Sequence, residues 1–120
     1  MKFARILFRI AGVWGFLVVT PLYFISGVVA KMDPGYVTQP AFYYGFTGVA
    51  LAWQIAFFII AGDPVRFRPI MIPSILEKVL YAGAVVILVL QGRIAQSNLI
   101  FGIADLVFAA LFLLAYLRTA

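Results

Sequence analysis

The chain has 120 residues, of which 66% are hydrophobic and 11% charged, with a mean hydropathy of +1.13 and a net charge of +5. A soluble domain carries about 25% charged residues, so the composition excludes an ordinary water-soluble fold. Cysteine and histidine are both absent. That removes disulfides, thiol catalysis, His-ligated haem, Cys-ligated clusters and the usual zinc sites, and no metal or cofactor is expected.

Four apolar runs, Ile10–Ala30, Ala41–Ala61, Ile75–Leu90 and Leu99–Leu117, fill most of the chain, with the charges largely between them. A helix needs about 20 apolar residues to cross a hydrocarbon core about 30 Å thick. Lipid offers no partner for peptide groups, so such runs must be helical. The expected fold is all-α: a single membrane domain over 1–120, built as a bundle of four transmembrane helices near 3–30, 41–61, 75–91 and 98–117.

The basic residues set the orientation. Lys2, Arg5, Arg9, Arg66, Arg68, Lys78 and Arg118 fall on one side, and only Lys31 and Arg93 on the other. Short loops obey the positive-inside rule, so both termini are expected in the cytoplasm. These cations sit at helix ends and face anionic headgroups. They do not form the clustered face that nucleic acid requires. Val28-Val29-Ala30 has the look of a signal-peptide cleavage site behind Lys2 and Arg5. A signal core holds about 7–15 apolar residues, whereas Ile10–Ala30 holds 21, so an uncleaved first helix is expected.

Helix one carries Ala11, Gly12 and Gly15, small residues that let another helix approach closely. Arg5 and Arg9 are expected to snorkel. Pro21 lies mid-run and should kink the helix. Asp33-Pro34-Gly35 signals a turn. Tyr36, Tyr43 and Tyr44 flank it as interface anchors. Helix two should stop at Gly62 before Asp63-Pro64. The segment 63–73, with Pro64, Pro69 and Pro73, reads as a stiff, extended cytoplasmic loop whose Arg66 and Arg68 contact headgroups or a partner. Ser74 and Glu77 have capping-box spacing, placing the start of helix three at Ser74 with Glu77 and Lys78 at the interface. Ser97 or Asn98 should cap helix four, and Arg118 suits its C-terminal dipole.

Two polar residues lie well inside the runs. Asp105 falls about 10–12 Å into helix four, and Gln54 occupies helix two. A mid-helix aspartate costs about 2.5–3.5 kcal/mol on insertion scales, so it should face the bundle. Candidate neighbours are Thr20, Tyr23, Tyr44, Thr47 and Arg93. Gly102, Asp105 and Ala109 share one face by their spacing. Either a structural clamp or a ligand, quinone or proton site is open for Asp105, and its protonation state is open too.

Pro73-Ser74-Ile75-Leu76-Glu77-Lys78, Gly92-Arg93, Asp105 and the tail Ala115–Thr119 resemble the DoxX-like small four-helix bacterial membrane proteins. The resemblance covers roughly the C-terminal half. It implies a four-helix fold and a bacterial inner-membrane setting, and assigns no site residue. Small multidrug transporters have a glutamate in helix one, which Ile10–Ala30 lacks. No Ser/His pair, carboxylate dyad at helical spacing or phosphate loop is present in the sequence. The leading expectation is therefore a non-enzymatic membrane protein, an accessory or structural subunit that packs against other membrane proteins or itself. The alternative is a bundle that binds or transports a lipid-, quinone- or other small ligand through Asp105 and Gln54, with Tyr44 and Thr20 nearby. An intramembrane enzyme stands third.

Overall fold

The structure is a computed structural model that describes residues 2–119. It is all-helical, with no strand among the described residues. The elements are α1 (Lys2–Val19), α2 (Ser26–Met32), α3 (Pro40–Gly62), α4 (Met71–Leu90) and α5 (Leu99–Arg118), joined by short 3-10 turns. Four segments are long and apolar enough to cross a membrane: Lys2–Tyr23, Pro40–Gly62, Arg68–Leu90 and Gln96–Arg118.

The first apolar run is not one continuous helix. Pro21 has no N–H for the turn before it, and the chain tightens into a 3-10 turn at Thr20–Tyr23. The amides of Phe24 and Ile25 both turn back to the Pro21 carbonyl, and α2 starts afresh at Ser26. The expected kink is thus a break. It leaves the Leu22 carbonyl to take the Tyr43 hydroxyl, which donates to it over 2.6 Å. Tyr43 is accordingly buried at 5% exposure rather than a wet interface anchor. The side chain of Tyr36 lies outside the described residues.

The third helix starts earlier than the capping box implies. A 3-10 turn at Arg68–Ile70 runs directly into α4 at Met71. The first turn of a helix does not use its N–H groups, so Pro69 and Pro73 fit there without loss. Ser74 is already inside the helix, and its hydroxyl donates to the Ile70 carbonyl over 2.8 Å. No capping box forms, and 63–73 is a compact turn rather than an extended segment. At α5, Asn98 occupies the cap position without capping through its side chain. Its amide donates instead to Asp33 and to the Ala95 carbonyl.

Helix α1 packs along α3, α4 along α5, and α1 against α5, while α3 and α4 touch little. The two antiparallel pairs meet most closely at the end that carries both termini. There Phe8, Phe57 and Phe112 are fully buried. Phe8 stacks on Phe112 at 4.3 Å between centroids, and Phe57 meets Phe112 edge-on at 5.1 Å. Ala4, Ile60, Ala61, Met71 and Ala115 close around them. Such ring pairs contribute about 0.5–1.5 kcal/mol each beyond the area they bury.

Small residues set the close approaches. A Cβ at Gly15 would overlap the Gln54 carboxamide, and one at Gly102 would come within 3.2 Å of Val85 Cγ1. At the opposite end, Asp33 ties the first loop to the third. Its carboxylate accepts from the Ala95 amide at 2.8 Å and from Asn98 Nδ2 at 2.7 Å.

Candidate functional site: a buried lysine between two carboxylates

On α4 the buried positions are Met71, Ser74, Lys78, Ala82 and Val85. They recur at three- and four-residue intervals and so make one inward stripe. Lys78 occupies a core position in that stripe and is only 4% exposed. Because α4 begins at Met71, Lys78 lies two turns in, about 10 Å along the axis. That is too deep for the interfacial role its sequence position implies. The stripe itself was the signal that would have placed it inward.

Asp105 of α5 supplies the counter-charge. Lys78 Nζ donates to Asp105 Oδ1 over 3.4 Å. Glu77 lies on the other side, with Oε2 at 3.8 Å from the same nitrogen. The ammonium also rests near two ring faces, 5.2 Å from the Phe57 centroid and 5.6 Å from that of Phe108. Desolvated cation–π contacts contribute up to about 2 kcal/mol. One cation thus serves two acids and two rings drawn from three helices. Glu77 Oε2 is buried and makes no hydrogen bond. Glu77 is therefore a member of this cluster, not a capping residue.

The partner of Asp105 differs from all those anticipated. Arg93 remains exposed at the far end, where its Nη1 reaches Gln91 Oε1 at 3.5 Å. Thr47 is buried and donates to the Tyr43 carbonyl of its own helix at 2.8 Å. Tyr44 is 41% exposed and stacks with Tyr23. Thr20 lines an open apolar groove of about 460 Å³ at the α1 break, together with Phe16, Leu17, Pro21, Phe24 and Ile25.

Gln54 belongs to a different interface, wedged between α3 and Gly15 of α1. It is 1% exposed, donates from Nε2 to the Ala50 carbonyl at 2.6 Å, and leaves Oε1 without a hydrogen bond. Gln54 and Asp105 therefore do not form one site.

The two loop arginines part company. Arg68 Nε donates to the Tyr116 carbonyl at 3.0 Å, and its guanidinium lies 3.8 Å from the Tyr116 ring centroid. It satisfies one of the last carbonyls of α5, where a cation also suits the helix dipole. Arg66 is exposed, with its guanidinium 5.2 Å from the Phe67 ring and its backbone amide donating to Asp63.

The chemistry available to the Lys78 cluster is electrostatic: a buried ammonium, two partly buried carboxylates and an aromatic wall. No group of three or more metal-ligating side chains is present among the described residues. A second groove of about 310 Å³, lined by Asp33, Pro34, Gly35, Leu88, Arg93 and Ile94, shares no residue with the cluster. Fold and site together define a small all-helical bundle with four membrane-length apolar helices and an ion cluster in its interior. No family model, curated protein or solved structure matches the chain.

Proposed function

We propose that this chain is a small, non-enzymatic integral membrane protein that serves as an accessory or structural subunit and packs against other membrane proteins or further copies of itself. The observation that carries the reading is its inside-out polarity. Leu17, Phe24, Phe42, Leu80, Leu90 and Leu117 are each at least 67% exposed, whereas Lys78, Asp105, Gln54 and Thr47 are turned inward. Lys78 and Asp105 pair across α4 and α5, and Thr47 and Gln54 each donate back to a carbonyl of their own helix, so these polar groups are met inside the bundle. That arrangement suits a hydrocarbon surround.

Orientation follows from charge. Lys78 is withdrawn into the bundle and Arg68 is half-buried on Tyr116, so five of the seven cations of the terminus-bearing end are exposed, against Lys31 and Arg93 at the other. Both termini then lie in the cytoplasm. A bacterial inner membrane is the setting that the resemblance to DoxX-like proteins implies. Arg66, exposed in the 63–70 turn, is the loop residue left to meet headgroups or a partner.

The ligand-binding reading rests on two buried oxygens without hydrogen bonds, Gln54 Oε1 and Glu77 Oε2. They belong to different helix contacts, which favours packing over a shared ligand site.

The absence of cysteine makes the test clean. Single cysteines at Leu17, Phe42, Leu80 and Leu117 are probed in native membranes with a lipid-soluble maleimide. A subunit covered by a partner shows one protected helix face and reactive others. Equal reactivity at all four positions would refute the accessory-subunit reading. Reporter fusions after Ala120 and within the Gly35 turn test the orientation independently.

A further inference from the structure

Lys2, Arg5 and Arg9 are all exposed on α1 and recur at three- and four-residue intervals, so they line one face. The stripe covers about 10 Å of helix axis. The protein has four acidic residues, and each is engaged elsewhere. Asp33 holds Ala95 and Asn98. Asp63 accepts the Arg66 amide. Glu77 and Asp105 flank Lys78. None of these four side chains is left for the α1 stripe. The three cations also crowd the positive end of their own helix dipole, where they disfavour the fold.

A fourth cation lies alongside: the Arg118 guanidinium is 5.6 Å from the ring of Phe3. Ile6 and Ile10, which follow Arg5 and Arg9 directly, are 48% and 55% exposed. Guanidinium and aliphatic side chains therefore alternate on the same outward surface. An acidic peptide or nucleic acid would match the charges and leave the isoleucines without an apolar partner. A phospholipid matches both.

We propose that this face of α1 is a binding site for one anionic phospholipid. Its phosphate lies between Arg5 and Arg9, its headgroup reaches toward Lys2, and its acyl chains run past Ile10. Residues four apart on a helix are close enough to share one phosphate, and the planar guanidinium fork matches phosphate oxygens in pairs. The inference rests on the bilayer reading above and adds a specific lipid to it.

The test uses the full chain reconstituted in mixed vesicles of phosphatidylcholine and phosphatidylglycerol, then extracted in mild detergent for native mass spectrometry. Preferential retention of phosphatidylglycerol is expected. Arg5→Gln together with Arg9→Gln should lower that preference about thirtyfold, since each surface cation contributes roughly a tenfold or smaller factor. Arg66→Gln, the loss of one exposed cation at the same end but off the stripe, should lower it far less. Arg5→Lys with Arg9→Lys keeps the charges and loses the paired hydrogen bonds, so it should fall between the unaltered protein and the glutamine variant, which separates charge from folding, and high salt should erode the preference in the unaltered protein.

Equal retention of the two lipids, or equal losses from the stripe and Arg66 variants, would overturn the site while leaving the membrane reading in place. Failure to insert into the vesicles at all would overturn both.

Discussion

Two carboxylates sharing one ammonium should be energetically redundant, and removing both should cost more than the sum of removing each. At an effective dielectric of about 20, an ion pair at the 3.4 Å Lys78–Asp105 separation gives about 5 kcal/mol of gross attraction, and one at the 3.8 Å Lys78–Glu77 separation about 4 kcal/mol. Desolvating the ions offsets most of this. Asp105→Asn removes the nearer charge but keeps the shape, and Lys78 still has Glu77. The expected net loss is about 1–2 kcal/mol, and Glu77→Gln should cost about 1 kcal/mol.

The double variant strands a 4%-exposed ammonium with no counter-charge, a situation that costs about 3–5 kcal/mol. At the midpoints of these ranges the coupling energy is about 1.5 kcal/mol in the destabilising direction. Adding Lys78→Met to the double variant removes the stranded charge and should recover most of the loss. The assay is reversible unfolding of the purified protein in mixed micelles, titrated with denaturing detergent and followed by circular dichroism. Additive single and double costs, or a Lys78→Met change that rescues nothing, would refute the idea that the two acids hold a common ammonium.

Other contacts make separable predictions. Gly15→Ala should destabilise by about 1–3 kcal/mol, because its methyl overlaps the Gln54 carboxamide. In a Gln54→Ala background the same change should become neutral or stabilising, and thermal scans of the four proteins check the sign reversal. Tyr43→Phe removes the 2.6 Å bond to the Leu22 carbonyl and should cost about 1–2 kcal/mol. Hydrogen exchange should rise around residues 20–26 more than elsewhere. Arg68→Lys loses both the Nε bond and the ring stacking on Tyr116. It should cost about 1 kcal/mol and fray the end of α5, whereas Arg66→Lys should be silent in the same melting assay.

The helical class and the four long segments were legible in the sequence. Continuous apolar runs of membrane length admit few other backbones, and this follows from composition and spacing alone. Boundaries held within one or two residues wherever Gly or Pro marks them, as at Pro40 and Gly62. They shifted where two signals competed. Pro73 and Ser74 looked like a helix start, but a proline within the first turn costs nothing, so α4 begins at Met71. Pro21 announced a disturbance, and only the contact with Tyr43 shows where the broken turn sends its carbonyl.

Asp105 was conspicuous in the sequence because an acid inside an apolar run is expensive wherever it lies. Its partner was not, since Lys78 is 27 residues away and directly follows Glu77, in a context that also fits a helix start. Gln54 and Asp105 looked like one site because both are polar residues inside long apolar runs. The packing of α1 on α3 and of α4 on α5 sends them to different interfaces. Sequence periodicity determines which face of a helix turns inward, but it carries no information on which helix lies opposite. That choice belongs to the tertiary structure, and it makes Lys78 the centre of the ion cluster.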